Sequence, residues 1–153
     1  MNFTKWTLVF LVLNFAALGI GSWLMNGGSQ GLWYENLNKA PWTPPGWVFG
    51  VAWSTIMVCF SIYLAKLIPE ISTTSFWTLF SIQFLLNVSW NYVFFNKHLM
   101  LFGLIIIALL TCLVVFYLFN FNSKLRLYSL FIVPYVIWMC LATSLNFYIV
   151  FSN

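Results

Sequence analysis

Indole rings and side-chain amides are the groups in this chain that could bind or transform another molecule. The 153 residues include nine tryptophans but only two acidic residues and one histidine. Aspartate is absent, so one chain cannot assemble a Ser-His-Asp triad or a pair of catalytic carboxylates. His98, Glu35 and Glu70 also cannot supply a metal site of histidine and carboxylate ligands. We therefore expect neither hydrolytic chemistry nor a bound metal or cofactor.

Three tryptophans stand apart from the rest. Tryptophan is enriched where a membrane meets water, and that placement fits five of them: Trp6, Trp23, Trp42, Trp47 and Trp77. It fits Trp53, Trp90 and Trp138 poorly, and Trp53 and Trp138 lie well inside their predicted helices. Each buried indole N–H needs an acceptor. A planar aromatic ligand between Trp53 and Trp138 would gain stacking and could supply that acceptor.

The polar residues within the apolar segments are amides: Asn14, Gln83, Asn87, Asn91 and Asn146. An unpaired amide is costly in hydrocarbon, so these side chains should face protein. One predicted helical face carries Gln83, Asn87, Trp90, Asn91 and Phe94, and a second groups Trp138, Ala142 and Leu145 with Asn146 beside them. For Asn14 and Asn146 we favour hydrogen bonding between helices. For Asn87 and Trp90, ligand contact and helix pairing are both open.

The elements that position these groups must be membrane helices. The chain is 63% hydrophobic and 5% charged, a composition that a soluble domain of this length cannot bury. Its charged residues separate five uncharged runs, each long enough for one bilayer crossing of roughly 20 residues. The sequence predicts an all-α membrane protein, a single domain over residues 1–153 that forms a bundle of five transmembrane helices. The spans are expected at about 6–25, 47–67, 73–95, 100–121 and 127–151.

Local signals refine this arrangement. The breaker at 26–31 ends the first span, and Trp33, Tyr34 and Leu37 predict a short helix in the first loop that stops at Pro41. Pro134 predicts a kink within the fifth span. A series of small residues, Gly46, Gly50 and Ser54, would allow close helix approach. That approach could be internal or a homodimer seam, and the nearby Trp53 favours the internal use.

Charge placement bears on orientation and partners. Four basic residues, Lys5, Lys66, Lys124 and Arg126, fall on the N-terminal side of the predicted membrane, against Lys39 and Lys97 on the other. This bias predicts an N-terminus inside. There is no basic cluster of the kind that binds nucleic acid. No charged residue lies mid-span, which argues against ion-coupled transport and suits a bulky, largely apolar ligand. The three cysteines show no disulfide or metal spacing.

Three runs of residues together resemble the translocator protein family, also called tryptophan-rich sensory proteins or peripheral-type benzodiazepine receptors. The first is Trp33-Tyr34 with Pro41-Trp42-Thr43-Pro44-Pro45-Gly46-Trp47 and Trp53. The second is Gln83, Leu86-Asn87, Trp90 and Phe94-Phe95. The third is Pro134-Tyr135, Trp138, Ala142-Thr143, Leu145-Asn146 and Tyr148. The resemblance covers nearly the whole chain.

That resemblance implies a pocket beneath the first loop for porphyrins and other tetrapyrroles, and for isoquinoline carboxamide or benzodiazepine-type ligands. The implied ligand-binding residues are Ser22, Tyr34, Pro44, Pro45, Phe49, Trp53, Asn87, Trp90, Phe94, Trp138, Ala142 and Leu145. Some bacterial members promote light-dependent porphyrin breakdown, for which Trp53 and Trp138 are the candidate catalytic residues. A carrier or sensor without chemical turnover is the alternative. The resemblance also implies a homodimer, and the short chain resembles members from bacterial cell membranes.

One departure from the family concerns cholesterol. Animal members end the last span with an apolar residue, a tyrosine and then a basic residue. Here the run Leu145–Phe151 contains Tyr148 but no lysine or arginine. Such motifs are weak indicators even when complete. We therefore expect a tetrapyrrole, rather than cholesterol, as the ligand, with membrane lipid around the bundle.

Overall fold

The computed structural model describes residues 2–153, which are helical over most of their length and contain no strand. Its α-helices are α1 (Phe3–Leu24), α2 (Leu32–Glu35), α3 (Gly46–Leu67), α4 (Thr73–Asn91), α5 (Met100–Leu125) and α6 (Val133–Ser152). Short 3₁₀ segments cover Gly28–Gln30 and Arg126–Ile132, and a π-helical turn covers Tyr92–Asn96. Five of the six α-helices are long, and the short α2 lies in the loop after α1.

Contacts between the long helices show the directions of two pairs. The Lys66 ammonium at the end of α3 lies 4.5 Å from the centroid of the Phe3 ring at the start of α1, so α1 and α3 are antiparallel. The buried Asn14 amide of α1 donates to the Ser61 hydroxyl of α3 at 2.9 Å, which confirms the interhelical role expected for Asn14. The hydroxyls of Thr111 on α5 and Thr143 on α6 are 2.8 Å apart. The latter pair lies symmetrically about the turn at Arg126–Ile132, so α5 and α6 are antiparallel.

Three helical segments are long and apolar enough to cross a membrane: 3–30, 46–67 and 100–152. The last has 53 residues and would be about 80 Å long if straight. It contains α5 and α6, which fold back on each other. Helix α4 is not among the three, because its amides and hydroxyls make it less apolar. The chain thus has several helical segments that are long and apolar enough to cross a membrane, and the arrangement of five spans stays a prediction.

Two helical boundaries differ from the expectation. Pro134 is the second residue of α6 and lies in its first turn, instead of kinking a longer helix. A backbone N–H in the first turn of a helix has no acceptor within the helix, so proline, which lacks this N–H, is tolerated there. The residues before it, Arg126–Ile132, form a 3₁₀ segment. The helix predicted in the first loop is a single turn, Leu32–Glu35, and ends well before Pro41.

The internal use of the small-residue series on α3 was a wrong prediction. A Cβ atom added at Gly46 or Gly50 would meet nothing within 4 Å, and Ser54 is exposed. Close approach occurs elsewhere, at Gly21 on α1 and Gly103 on α5, where added Cβ atoms would lie 2.6 Å from Asn91 and 2.8 Å from Phe94. The face with Gly46 and Gly50 is therefore open on this chain.

Candidate functional site

Residues 25–45, named loop 1 below, lie across the end of α6. The Trp42 indole donates to the Ser144 hydroxyl at 3.1 Å, and its ring meets Tyr148 edge to face at 5.5 Å. The Asn38 backbone N–H donates to Asn153 Oδ1 at 2.9 Å, and the Asn38 amide donates to the Ser152 carbonyl at 2.9 Å. These contacts hold one side of loop 1 on the C-terminal part of α6.

The other side of loop 1 rests on the turn between α4 and α5. Trp33 stacks on His98 with ring centroids 4.2 Å apart and planes 13° apart, and it meets Phe94 edge to face at 5.5 Å. Tyr34 lies 5.4 Å from Phe95. Loop 1 is therefore held on two sides of the bundle by aromatic and amide contacts.

Beneath loop 1 lies a cavity of about 270 Å³, called the loop-1 cavity. Its lining contains three of the expected ligand-binding residues, Tyr34, Pro44 and Phe49. Six other residues complete the wall: Ser29, Gln30, Glu35, Lys39, Thr43 and Gly46. The Lys39 ammonium donates to the Tyr34 and Glu35 carbonyls at 3.0 and 2.9 Å. Burial raises the pKa of the Tyr34 phenol, so that hydroxyl stays neutral and able to donate at physiological pH.

The floor of the loop-1 cavity adjoins Trp138. The Phe49 and Trp138 rings meet edge to face, with centroids 5.3 Å apart and planes at 85°. Trp138 in turn lines a groove of about 450 Å³ between α3 and α6, called the lateral groove, together with Ala52, Thr55, Ile56, Leu130, Val133, Pro134 and Ile137. The Phe49–Trp138 contact thus stands between a cavity under the loop and a groove on the lipid-facing side.

The two candidate catalytic indoles keep free N–H groups. Within residues 2–153, neither Trp53 nor Trp138 donates a hydrogen bond, and neither indole nitrogen is completely enclosed. Trp53 is half-buried and meets Tyr135 edge to face at 6.0 Å. The buried amide of Asn87 is likewise without a partner in the described part of the chain. These donors are available to an acceptor on a ligand.

The amides of α4 and α6 form a wall behind this region. Trp90 donates to Asn146 Oδ1 at 3.2 Å, and the Asn146 amide donates to the Ala142 carbonyl at 3.0 Å. The role expected for Asn146 in joining helices is confirmed. Gln83 donates to the Tyr135 hydroxyl at 2.9 Å, while its own carbonyl oxygen has no partner in the described chain. The indole N–H of Trp90 therefore pairs α4 with α6. Contact between the Trp90 ring and a ligand stays a prediction.

Of the twelve expected ligand-binding residues, three line the loop-1 cavity, Trp138 lines the lateral groove, and eight line neither space. The Phe94 ring stacks on Trp90 with centroids 5.6 Å apart and meets Tyr34 edge to face with centroids 6.4 Å apart. On α6, Ala142 and Leu145 are buried on the same helical face as Trp138. Ser22 and Pro45 are exposed and do not line the loop-1 cavity. Across residues 2–153, no cluster of three His, Cys, Asp or Glu side chains could hold a metal ion.

Several residues of this region escaped the sequence reasoning. Ser29 and Gln30 line the cavity, although their segment was interpreted only as a helix breaker. Asn38 and Asn153 join loop 1 to the end of α6 through contacts 115 residues apart in sequence. No local pattern signals such a pair. Tyr135 was named only as part of the third motif, and its hydroxyl accepts a hydrogen bond from the buried Gln83 amide.

Comparison with known proteins identifies close relatives of this chain. Residues 8–151 match the family model described as the TspO/MBR family. Protein CrtK of Rhodobacter capsulatus is 36% identical over 126 residues, which are 78% of this chain and 77% of that protein. Tryptophan-rich protein TspO of Chlorobaculum tepidum is 33% identical over 127 residues, 79% of each chain. The human translocator protein is 27% identical over 140 residues, 84% of this chain and 78% of that protein. The resemblance expected from the motifs is confirmed.

Proposed function

Because the chain belongs to the TspO/MBR family of membrane proteins, we propose that it is a receptor-like protein for tetrapyrroles such as protoporphyrin. The same pocket would accept isoquinoline carboxamide or benzodiazepine-type ligands. The proposed topology has five spans in a bacterial cell membrane, with the N-terminus inside. The bacterial relatives and the antiparallel packing of α1 with α3 and of α5 with α6 support this placement.

The observation that carries the proposal is the Phe49–Trp138 contact between the loop-1 cavity and the lateral groove. A ligand pocket usually measures about 300–1,000 Å³. At about 270 Å³, the loop-1 cavity alone is small for a macrocycle. Rotation of Phe49 would join it to the groove of about 450 Å³. The macrocycle would then lie against Trp138 and near Trp53, whose indole N–H groups are free.

Charge at the cavity mouth also suits this ligand. Lys39 is the basic residue in the lining, and Glu35 is the acidic one. Protoporphyrin carries two carboxylates on an otherwise apolar, planar body. An ammonium group favours a nearby carboxylate, so the propionates would lie toward Lys39 while the ring enters between the aromatic side chains.

We further propose that the bound porphyrin is degraded by light. Trp53 or Trp138 would pass one electron to the light-excited macrocycle, and molecular oxygen would add to the reduced ring. The electron would then return from the oxygen adduct to the indole radical, so that both oxygen atoms end in the cleaved macrocycle and the indole is restored. The test is bleaching of protoporphyrin by purified protein under illumination. Slower bleaching in a Trp53→Phe, Trp138→Phe double variant, with an unchanged rate in Trp23→Phe, Trp47→Phe, is expected, because the latter pair is 80% and 72% exposed. Equal bleaching in both double variants would remove the catalytic role.

The second candidate is a carrier or sensor that binds the same ligands without changing them. It is favoured by the chemistry of the pocket wall, whose only ionisable groups beside Tyr34 are Glu35 and Lys39 at the mouth. Release of porphyrin from loaded vesicles in the dark discriminates the two functions. Protein-dependent flux in the dark with no bleaching in the light would establish the carrier and reject turnover.

A homodimer is the proposed assembly, and the open face with Gly46 and Gly50 on α3 is its candidate seam. Small residues let two membrane helices approach closely. The Gly50→Leu variant should lower the dimer fraction measured by cross-linking in lipid, and Gly19→Leu on α1, where a Cβ would also meet nothing within 4 Å, serves as its control. An unchanged dimer fraction in Gly50→Leu would place the seam elsewhere.

A further inference from the structure

A second cavity lies at the end of the bundle opposite loop 1. It measures about 390 Å³ and is named the basic-end cavity. The beginning of α1, the end of α3 and the beginning of α4 form its wall. Eight residues line it: Phe3, Trp6, Ala65, Lys66, Ile68, Pro69, Thr73 and Trp77. The proposed tetrapyrrole site does not use any of them.

Lys66 is the charged residue in this wall, and two aromatic rings hold it. Its ammonium lies 4.5 Å from the ring centroid of Phe3 and 4.4 Å from that of Tyr128. Such contacts stabilise a lysine cation without neutralising it. Lys66 is half-buried, and within residues 2–153 it has neither an ion pair nor a hydrogen-bond acceptor. The cavity therefore presents a fixed positive charge.

The other polar groups of the wall are donors. The Thr73 hydroxyl and the indole N–H groups of Trp6 and Trp77 make no hydrogen bond in the described chain. The Ser72 side chain caps α4 by accepting from the Ser75 N–H at 3.2 Å, which leaves the Thr73 backbone N–H at the helix start without a partner. Free N–H groups at a helix start attract anions. No carboxylate lines the cavity.

The surroundings add to the positive field. Lys5, Lys124 and Arg126 lie at the same end of the bundle, and the Lys124 ammonium donates to the Glu70 backbone carbonyl at 3.0 Å. Glu70 is the one acidic side chain at this end, and it is exposed and outside the cavity lining. Basic residues at a membrane surface attract anionic lipids.

We propose that the basic-end cavity binds the phosphate headgroup of an anionic phospholipid. The phosphate would lie against Lys66 and Thr73, and the upper acyl chain would lie along Trp6 and Trp77, whose rings are 6.3 Å apart. A lipid fits better than free phosphate because most of the wall is aromatic or aliphatic. The cavity also opens at helix ends, where headgroups lie beside a membrane protein. The inference is independent of the tetrapyrrole pocket.

The test is native mass spectrometry of the detergent-solubilised full chain with phosphatidylglycerol or phosphatidylcholine added. The wild type should retain phosphatidylglycerol in preference to phosphatidylcholine. The Lys66→Gln variant should retain about fivefold less phosphatidylglycerol, the factor that one basic residue near an anionic surface contributes. Lys66→Arg should keep most of it. Thr73→Val, which leaves the charge in place, should lose part of it.

The matched control is Lys97→Gln at the opposite end. Lys97 also lies over an aromatic ring, 5.1 Å from the Tyr92 centroid, but it lines none of the cavities described above. Its variant should retain phosphatidylglycerol as the wild type does. Equal loss in Lys97→Gln and Lys66→Gln, or equal retention of both lipids by the wild type, would overturn the proposal. Displacement of the lipid by millimolar inorganic phosphate would overturn the choice of lipid and assign the site to free phosphate.

Discussion

The rings of Phe49 and Trp138 meet edge to face, with centroids 5.3 Å apart, at the boundary between two spaces in the protein. Phe49 lines the cavity beneath loop 1, and Trp138 lines the groove between α3 and α6. Edge-to-face pairs are worth roughly 0.5–1.5 kcal/mol beyond their buried area. A contact of this size separates the two spaces, and a planar ligand would replace it with its own contact to Trp138.

Removing the Phe49 ring should make the pocket easier to enter. In Phe49→Ala the loop-1 cavity and the lateral groove become continuous, so protoporphyrin should associate several-fold faster, as measured by stopped-flow fluorescence. Phe119→Ala is the control, since Phe119 is 75% exposed on α5 and lines no cavity named here. Association rates that are equal in the two variants would mean that the Phe49–Trp138 contact does not limit entry.

Loosening loop 1 should shorten the lifetime of a bound ligand. The Asn153 side chain accepts from the Asn38 N–H at 2.9 Å and donates to the Asn38 carbonyl at 3.3 Å. Each of these two exposed hydrogen bonds contributes about 0.5–1 kcal/mol net, so Asn153→Ala should speed porphyrin dissociation by roughly fivefold to thirtyfold in a chase experiment. Ser152→Ala should dissociate as the wild type does, because Ser152 contributes only its backbone carbonyl to Asn38.

Close packing between α1 and α4 depends on one glycine. A Cβ at Gly21 would lie 2.6 Å from Asn91 Nδ2, and Asn91 is fixed by a 3.0 Å hydrogen bond to the Asn87 carbonyl. Overpacking costs about 1–3 kcal/mol, so Gly21→Ala should lower the midpoint of thermal unfolding. In Gly19→Ala, two residues away, the new methyl meets nothing within 4 Å. The midpoint of thermal unfolding of this variant should equal or exceed that of the wild type. A lower unfolding midpoint in Gly19→Ala than in Gly21→Ala would contradict this packing of α1 against α4.

The Trp90–Asn146 hydrogen bond should stabilise the fold more than it serves ligand binding. Asn146→Leu leaves a buried indole N–H without its acceptor 3.2 Å away. Hydrogen bonds between membrane helices are worth about 0.6 kcal/mol on average and up to about 1.7. The free energy of unfolding in detergent should fall by this amount, with porphyrin affinity little changed. Asn120→Leu, at an exposed position on α5, controls for the substitution, and a large loss of affinity in Asn146→Leu would place Asn146 in the pocket.

Sequence reasoning predicted the helices well because charge and hydropathy act locally. The predicted third span at 73–95 corresponds to α4, Thr73–Asn91, and the π-helical turn that follows it. The buried face predicted for this helix is also confirmed, because Gln83, Asn87 and Trp90 are all buried. The start of the fifth span was missed, because the 3₁₀ segment before Pro134 has the same apolar composition as an α-helix.

The site was predicted less completely, for physical reasons. Family motifs identified Tyr34, Pro44 and Phe49, which line one cavity. The cover of that cavity depends on contacts between residues far apart in sequence, such as Trp33 with His98 and Asn38 with Asn153. Whether a small residue permits close helix packing likewise depends on what the neighbouring helix presents to it. Gly50 faces open space, while Gly21 packs against Asn91.

Binding of protoporphyrin beside Trp53 and Trp138 is the central claim, and quenching of tryptophan fluorescence in the dark tests it most directly. The purified protein in lipid nanodiscs is titrated with protoporphyrin, alongside the Trp53→Phe, Trp138→Phe and the Trp23→Phe, Trp47→Phe double variants. We predict saturable quenching in the wild type and in Trp23→Phe, Trp47→Phe, with weaker binding and a smaller saturable amplitude in Trp53→Phe, Trp138→Phe. Quenching that never saturates, or that is the same in both double variants, would contradict a pocket at these two indoles.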